Sequence, residues 1–535
     1  MDMTMTEGNI FRQLLLFSLP LLAGNFFQQC YNTVDSIVLG NFVGRSALAA
    51  VGTTTPIINT LIGLFLGLST GIGVVISQFY GAREDKKVSQ AVQTSLLLVL
   101  LLCVAFTIVG VLMVPFMLRL MATPADVLPE ATLYLRIYFA GVAGLMLYNL
   151  GSGILRAVGD SRRPLYFLIF SAAVNTVLDL LFVAVFHWGI AGAAIATVIA
   201  QALSAVLVLV VLTRTQGSYR IVWKGMRMDK GILRNMFWIG IPSALQLAIT
   251  SFSNVFVQSY VNRFASSCMA GWAAYQKIDA FAILPMTTLS VSATTFVGQN
   301  VGAGNWDRAK QGIRTAMAMA TVITLIILVP LMIFAGPLCS LFNQETEVIG
   351  YGVYFIRLIS PFYLLANFNQ IYAGALRGAG DAKMPMFIML GSFVVFRQIY
   401  LYLTYRWFGT LLPVALGYPV GWVMCSTSAA RVMLSSRTTV KKYRKIRISI
   451  PVPPHLAVIF FFLYHTKSMP KKQQREPFLN VRKLPLKQKN QHPPCSSAED
   501  TALRSRKKLP ISASRQRLRS AIFWGAYTCP LLTQT

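Results

Sequence analysis

Long apolar runs recur along residues 11–435, and they limit the fold of this chain more than any other feature of its sequence. One run covers residues 91–118, and another covers residues 316–336. A helix of about 20 residues crosses the hydrocarbon core of a bilayer, so each run is long enough to span it. Lipid offers the backbone no hydrogen-bonding partners, and such runs therefore predict membrane-spanning helices.

The composition agrees with a membrane protein and excludes several other classes. Only 12% of the residues are charged, against about 25% in a typical soluble protein. The sequence contains no Walker A loop, no GxSxG, no HExxH and no cysteine or histidine cluster with zinc spacing. We therefore predict a protein that is not an enzyme and has no cofactor or metal. Uphill transport by such a chain would draw its energy from an ion gradient.

Glycine and proline divide the apolar runs into twelve predicted spans. After the fourth span, Gly159 suits the residue that follows a helix, and Pro164 suits the first turn of the next helix. The predicted spans, numbered 1 to 12 in chain order, are 11–40, 47–79, 91–118, 131–156, 164–187, 190–213, 233–262, 268–300, 312–335, 350–376, 385–407 and 411–435.

Lysine and arginine are concentrated in the loops that follow even-numbered spans. About 17 of them lie there, and about four lie in the loops after odd-numbered spans. Basic loops stay on the cytoplasmic side, which predicts a multi-pass protein of the plasma (inner) membrane with cytoplasmic N- and C-termini. The first ten residues lack the basic region of a signal peptide, so span 1 is predicted to be retained.

One ten-residue motif occurs twice, as LRAVGDSRRP at 155–164 and as LRGAGDAKMP at 376–385. The two copies are 221 residues apart, and other landmarks share that offset. They are Gly81 with Gly302, Arg136 with Arg357, and Pro164 with Pro385. These pairs predict two homologous six-span halves related by an axis along the membrane normal.

The repeated motif has two interpretations. Its glycine, aspartate and proline are typical of a place where one helix ends and the next begins. Alternatively, four of its side chains hold the two halves together or gate them. Those four are Arg156, Asp160, Arg377 and Asp381.

Together these patterns predict an all-α membrane protein with twelve transmembrane helices in two pseudo-symmetric six-helix bundles. We place the N-terminal lobe at 1–213, a cytoplasmic linker at 214–232, the C-terminal lobe at 233–436 and a basic tail at 437–535. The tail holds about 21 Lys and Arg against three acidic residues, and it is predicted to be disordered. Its basic start is expected to lie on anionic lipid rather than on nucleic acid.

Span 1 carries a polar stripe. Asn25, Gln28, Asn32 and Asp35 follow one another at steps of three, four and three residues, which places them on one helix face. Such a face cannot contact lipid, so it is expected to face the bundle or a water-filled cavity. Pro20 precedes the stripe and is expected to bend the helix, because proline removes a backbone hydrogen bond.

Span 5 carries a second polar stripe. Ser171, Asn175 and Asp179 follow one another at steps of four residues. A carboxyl group that lies out of water is costly to ionise, so Asp35 and Asp179 suit proton carriers that load and unload near neutral pH. The alternative is that each carboxyl group only joins neighbouring helices through hydrogen bonds.

The second half differs in its charges. Span 7 carries a stripe of neutral residues that includes Gln246 and Thr250, and spans 7 and 10 contain no carboxylate. Span 8 contains Lys277 and Asp279, which are two residues apart and do not share a helix face. They are interpreted as lining or coupling residues of a cavity, or alternatively as an ion-paired brace.

Several motifs resemble those of the multidrug and toxic compound extrusion (MATE) transporters. The motifs are NTVDSIVLG in span 1, VNTVLDLLF in span 5, the following GIAGAAIATVIAQ, FVGQNVGAGNWDRA and the twin LRxxGD sequences. The resemblance covers residues of about 10–440. It implies a V-shaped pair of six-helix lobes that exports drugs or organic cations in exchange for H⁺ or Na⁺.

The resemblance also implies site residues. Asp35 matches the coupling aspartate of span 1, and Pro20 matches the proline at its bend. The remaining polar cluster of the first lobe matches Asn175, Asp179 and Thr197, with Tyr31 similarly placed. One sodium-coupled branch of the family uses acids in spans 7 and 10. This chain lacks those acids, so H⁺ is favoured over Na⁺ as the coupling ion.

The predicted function is therefore an ion-coupled antiporter that works as a monomer on small amphipathic or cationic substrates in the lipid bilayer. Its substrate cavity is predicted to include Asn25, Gln28, Tyr31, Asn32, Gln246, Thr250, Lys277 and Asp279. One alternative is a lipid-linked oligosaccharide flippase of related architecture, which would need a strongly cationic cavity. Another is a membrane scaffold that acts through its basic tail.

Overall fold

The computed structural model describes residues 4–434 except 44, 122, 124 and 126. Within that range, only the backbone is described for residues 31–41, 45–49, 53, 56, 120, 430 and 432–434. The tail predicted at 437–535 lies outside the described residues, so the prediction that it is disordered stays a prediction.

Helices fold each of the twelve spans, and no strand occurs in the described part of the chain. In the first half the helices are Ile10–Phe42, Arg45–Gly81, Asp85–Leu120, Leu128–Ala140 with Val142–Ala157 in span 4, Arg162–Asp179 with the π-helical turn Leu180–Val185 in span 5, and Gly189–Arg214. In the second half they are Lys230–Val261, Ser266–Gly302, Trp306–Ile333, Thr346–Ile359 with Ser360–Phe362 (3₁₀) and Tyr363–Gly378 in span 10, Lys383–Leu390 with Gly391–Phe396 (π) and Arg397–Phe408 in span 11, and Leu411–Ala415 with Gly417–Leu434 in span 12. A short helix, Ala335–Ser340, joins spans 9 and 10.

Most of these helices are long enough and apolar enough to cross a membrane. Ten of those described meet that condition, and span 4 makes eleven if its two helices, bent by 48°, are counted as one span. Span 12 is less apolar, because its longer helix begins GYPVG and also contains Ser426, Thr427, Ser428 and Arg431.

The two halves repeat their irregularities as well as their helices. Span 4 breaks at Gly141, and span 10 changes to a 3₁₀ turn at Ser360–Phe362, which is the same place under the 221-residue offset. Spans 5 and 11 each contain a π-helical turn. Shared breaks of this kind agree with the predicted duplication.

Spans 1 and 7 pack with the opposite half where they begin. Leu14 and Phe17 of span 1 lie in an apolar cluster with residues of spans 8, 9 and 10. Ile232 and Met236 of span 7 lie in the main cluster of the first half. The first turns of both helices therefore join the two halves.

The twin motifs cap the helices that follow them. Asp160 Oδ1 accepts hydrogen bonds from the backbone N–H groups of Arg162 (3.1 Å) and Arg163 (3.2 Å). Asp381 Oδ1 does the same for Lys383 (3.1 Å) and Met384 (3.2 Å). The preceding glycines, Gly159 and Gly380, both have φ of 92°, a conformation that side chains disfavour. This geometry fits the capping interpretation of the motif.

Candidate functional site

The two halves meet closely at the end of the bundle that carries the loops after even-numbered spans, here called the basic end. A Cβ atom added to Gly71 of span 2 would lie 2.4 Å from the backbone nitrogen of Gly240 in span 7. One added to Gly67 would lie 2.2 Å from the Cα atom of Ala244. Backbones this close leave no room for side chains, so spans 2 and 7 are in direct contact there.

A reciprocal set of contacts, here called the glutamine latch, also joins the halves at the basic end. Gln78 Nε2 donates a hydrogen bond to the carbonyl oxygen of Gly378 (2.9 Å), and Gln299 Nε2 donates one to that of Ala157 (2.9 Å). Both members of each pair differ by 221 residues from the members of the other. The latch consists of Gln78, Gln299, Gly378, Ala157, Gly81 and Gly302.

The latch corrects the second interpretation of the twin motifs. The printed contacts of Asp160 are with its own helix, and Arg377 Nη1 donates to Gln246 Oε1 (3.5 Å) inside the second half. The hydrogen bonds that cross between the halves are accepted instead by the motif carbonyls of Ala157 and Gly378.

Span 1 contributes one hydrogen bond between the halves and leaves its acid untested. Pro20 lies inside the helix, and Asn25 Nδ2 donates to Thr288 Oγ1 of span 8 (3.1 Å). Gln28 is exposed. The side chains of three further predicted residues lie outside the described part of the chain, although their backbone is helical. Those three are Tyr31, Asn32 and Asp35.

Span 5 buries its polar stripe. Asp179 is 1% exposed and Asn175 is 2% exposed, so the stripe faces protein rather than lipid. Asp179 is the last residue before the π-helical turn Leu180–Val185, a distortion that is frequent at functional sites. Ser171 Oγ donates to the carbonyl oxygen of Ala200 in span 6 (2.8 Å).

The neighbouring polar residues of the first half differ in how they are bonded. Thr197 Oγ1 donates to the carbonyl oxygen of Ala193 on its own helix (3.0 Å). Neither polar side-chain atom of Asn175 has a hydrogen-bond partner among the described residues, although both are buried. A buried amide without partners is costly, so Asn175 is suited to contact an ion or a changing partner.

In span 7 the predicted neutral residues are buried or half-buried. Gln246 is buried, with Nε2 2.8 Å from Met389 Sδ, and its Oε1 accepts from Arg377. The hydroxyl of Thr250 has no hydrogen-bond partner among the described residues. Both residues therefore face span 11 or the interior rather than lipid alone.

In span 8 the two predicted charges are not paired with each other. Asp279 Oδ1 accepts hydrogen bonds from the hydroxyls of Tyr275 (3.2 Å) and Tyr363. Lys277 is exposed, and neither charge forms an ion pair within the described residues. The ion-paired brace is therefore wrong, and hydroxyl groups hold the carboxylate.

A buried arginine was not predicted. Arg397 of span 11 is 1% exposed, and its Nη2 donates to Ser253 Oγ (2.8 Å) and Asn254 Oδ1 (2.9 Å). Its Nε donates to the carbonyl oxygen of Phe393 (3.1 Å). The signal was present in the sequence, because an arginine inside an apolar run marks a functional position as strongly as an acid does.

Aromatic rings connect this arginine with the carboxylate of span 8. The Arg397 guanidinium lies 5.1 Å from the centre of the Tyr418 ring, and that ring lies 5.9 Å from Trp272. Trp272 lies 5.1 Å from Tyr275, which bonds Asp279. The second half thus holds a basic and an acidic group on one aromatic wall, while span 5 of the first half carries the acid Asp179.

Comparisons with known proteins place this architecture in a family. The MatE family model matches residues 20–181 and 242–403. The probable multidrug resistance protein YpnP of Bacillus subtilis (strain 168) is 30% identical over 424 residues, which cover 79% of this chain and 95% of that protein. An FAD transporter of Shewanella oneidensis is 27% identical over 375 residues, which cover 68% and 81% of the two chains.

Solved structures agree with the fold. A MOP superfamily transporter from Pyrococcus furiosus aligns with a TM-score of 0.76 at 24% identity, over 81% of this chain and 97% of that one. Its described feature is a binding pocket of reverse polarity that suggests a different function. Structural neighbours of this kind have twelve helices in two lobes, which confirms the predicted fold class.

Proposed function

This chain belongs to the MatE family of multidrug efflux transporters, and on that premise we propose that it exports amphipathic or cationic small molecules in exchange for H⁺. Family membership makes it a membrane transporter rather than an enzyme, and such transporters need no cofactor. The choice of substrate, the coupling ion and the roles of individual residues are the proposal.

The observation that carries the proposal is the burial of Asp179. This carboxyl group is 1% exposed within a membrane span, beside the buried amide of Asn175 one turn earlier. An ionisable group at such a position is costly to keep, and it is functional by default. We assign ion coupling to Asp179, Asn175 and Thr197 together with Asp35, and the helix bend to Pro20.

H⁺ is favoured over Na⁺ because of the chemistry of these side chains. A buried carboxyl group takes up a proton readily, since the neutral form avoids the cost of a charge in low dielectric. Protonation of one half then favours one arrangement of the lobes, as linkage requires for coupled equilibria. No group of three His, Cys, Asp or Glu side chains within the described residues is arranged to hold a metal ion.

Transport is proposed to occur by rocking of the two lobes about their contacts. The basic end is closed by spans 2 and 7 and by the glutamine latch. If that end is cytoplasmic in the plasma membrane, as its lysines and arginines predict, this arrangement precedes release to the outside. The lobe boundary is placed in the linker at 214–232, and the protein is proposed to act as a monomer.

The substrate is proposed to contact polar side chains of both halves. Asn25 and Gln28 offer amides from span 1, and Asp279 offers a carboxylate that attracts cations. Gln246, Thr250 and Lys277, with Tyr31 and Asn32, complete the proposed cavity.

A second candidate function is export of anionic aromatic compounds, and Arg397 favours it. A buried guanidinium beside Tyr418 suits a negatively charged ring system. The FAD transporter among the relatives is consistent with this possibility. A lipid-linked oligosaccharide flippase is less favoured, because the first half carries an acid rather than a cationic surface.

The test is transport by purified protein in liposomes under separately imposed proton and sodium gradients. A cationic dye and a flavin nucleotide serve as the two substrates. We expect a proton gradient to drive dye transport by wild type, and Asp179→Asn to reduce it to the level of empty liposomes. Asp307→Asn is the matched control, because that carboxylate is 92% exposed at the basic end.

Three results would contradict the proposal. The first is an Asp179→Asn variant that transports at the wild-type rate, and the second is transport driven by sodium alone. The third is transport of the flavin nucleotide without the dye, which would favour the second candidate function. A wild-type level of dye binding by Asp179→Asn would show that the variant is folded.

A further inference from the structure

A cavity of about 710 Å³ lies at the basic end between the two halves, and nothing above assigns it a ligand. Phe79, Lys87 and Gln90 line it from spans 2 and 3, and Arg234, Asn235 and Trp238 line it from span 7. Its volume is within the range of about 300–1,000 Å³ that is usual for small-molecule sites.

The lining is suited to bind an anion. Arg234 is exposed and forms no ion pair within the described residues, while Lys87 contacts Glu84 on its own helix (2.7 Å). The only acid in the lining is Asp229, whose Oδ1 already accepts a hydrogen bond from the backbone N–H of Ile232 (2.8 Å). The first turn of span 7 adds the positive end of a helix dipole.

The internal duplication shows what the equivalent place binds in the other half. Under the 221-residue offset, Phe79, Lys87 and Gln90 correspond to Asn300, Arg308 and Gln311. There the chain's own N-terminal segment fills the space beside span 1, and Met5 is fully buried.

The side chains around that segment bind its carbonyl oxygens. Asn300 Nδ2 and Arg308 Nε both donate to the carbonyl oxygen of Met5, at 3.0 and 3.2 Å. Arg308 Nη2 donates to the carbonyl oxygen of Glu7 (2.9 Å) and to Gln13 Oε1 (2.9 Å). The position equivalent to Lys87 is therefore a donor to oxygen ligands, and in the first half no segment of the described chain supplies those oxygens.

The level of the cavity relative to the membrane identifies the source of the ligand. Trp238 is 54% exposed, and the Nζ atom of Lys383 lies 3.2 Å from the centre of its ring. Exposed tryptophan beside lysine at the end of a spanning helix is typical of the headgroup region of a bilayer. The basic tail at 437–535 does not fit as an occupant, since its net charge is positive.

We propose that this cavity binds the headgroup of an anionic phospholipid, with Lys87 and Arg234 contacting its phosphate and Gln90 and Asn235 its remaining oxygens. Basic cavities between spanning helices on one face of the membrane bind such headgroups in general. A lipid here contacts spans 2 and 3 of one half and span 7 of the other. It therefore binds best while the basic end is closed, and it stabilises that state over the one in which the halves separate.

The test measures lipid binding without transport, so its outcome is independent of the proposed function. Full-length protein in neutral detergent is titrated with phosphatidylglycerol and with phosphatidylcholine, and bound lipid is counted by native mass spectrometry. We expect wild type to prefer phosphatidylglycerol. The Lys87→Gln/Arg234→Gln variant should bind it about 25-fold more weakly, from about fivefold for each basic side chain near an anionic surface.

The matched control is Lys86→Gln/Arg227→Gln, which removes two exposed basic residues at the same end that do not line the cavity. An equal loss of affinity in the control would overturn the proposal, because the lipid would then respond only to overall surface charge. Displacement of phosphatidylglycerol by an equal concentration of soluble glycerol phosphate would overturn it as well, because the site would then take a free anion. A preference that is lost only in the cavity variant supports it.

Discussion

A methyl group at Gly81 or Gly302 tests whether close backbone contact holds the basic end shut. A Cβ atom at Gly81 would lie 1.9 Å from the carbonyl oxygen of Gln299, and one at Gly302 would lie 1.9 Å from that of Gln78. Ordinary contact begins at about 3.4 Å. Spans 2 and 8 would therefore have to move apart by about 1.5 Å to admit either methyl group.

The energetic effect is specific to the closed arrangement. Overpacking a well-packed contact costs about 1–3 kcal/mol. The contact exists only while the two halves touch, so the Gly81→Ala change penalises the closed state and leaves the core of each half unchanged. A difference of that size shifts a two-state population by about 5-fold to 150-fold.

The assay is a distance measurement between spin labels across the basic end. Lys86→Cys and Asp307→Cys provide one exposed label in each half, near Gly81 and Gly302 respectively. Native cysteines are replaced in this background. We expect the distance distribution of wild type to lie mainly at its shorter population, and Gly81→Ala or Gly302→Ala to transfer intensity to a longer one.

The control lies on the same helix. A Cβ atom at Gly63 would lie 3.7 Å from Leu247 Cβ of the other half, which is ordinary contact. Gly63→Ala should therefore leave the distance distribution unchanged. An unchanged distribution in Gly81→Ala, or an equal change in Gly63→Ala, would refute closure by direct backbone contact.

Two further predictions concern stability, measured by thermal unfolding in detergent. Asp160→Ala and Asp381→Ala should each lower the free energy of unfolding by about 1 kcal/mol through loss of a helix cap, whereas Ser161→Ala, whose hydroxyl caps nothing, should have less effect; unequal losses at the two aspartates would contradict an equivalent role. Asn254→Ala should cost about 1.5–3 kcal/mol because it removes a hydrogen bond to the buried guanidinium of Arg397, and a neutral result would show that the arginine finds another partner.

Most of the fold could be predicted because membrane helices follow from local sequence. Each span needs about 20 apolar residues, and the breaks between spans carry glycine or proline. The repeat fixed the pairing of the halves, since Gly81 with Gly302 and Pro164 with Pro385 share one offset. The crossed packing of spans 1 and 7 could not be predicted, because it depends on which apolar faces meet in space. Leu14 has no local feature that assigns it to the second half.

The candidate site was predicted less completely, for a physical reason. Polar stripes on one helix face follow from periodicity, and the burial of Asn175 and Asp179 agrees with the stripe of span 5. Partners on other helices do not follow from it. Tyr363 is 84 residues from Asp279 along the chain, and Asn254 is 143 residues from Arg397, so only helix packing brings each pair together.

The duplicated and the unique residues of this chain divide the work of transport. Contacts that close the basic end or begin a helix occur in both halves: Gln78 with Gln299, Gly81 with Gly302, and Asp160 with Asp381. The ionisable residues inside the spans have no such counterpart, because the offset pairs Asp179 with Tyr400, Asp279 with Ile58 and Arg397 with Thr176.

This division is what a rocking, ion-coupled mechanism requires. Two lobes that separate as rigid bodies must break equivalent contacts together, so the latch is symmetric. A coupling ion must favour one state over the other, and it does so through charge that one half carries and the other lacks. Latch substitutions such as Gly302→Ala should therefore change the balance of the two states at every proton gradient. Substitution of Asp179 should instead remove the dependence on that gradient, and a latch variant that altered only the ion dependence would contradict this separation.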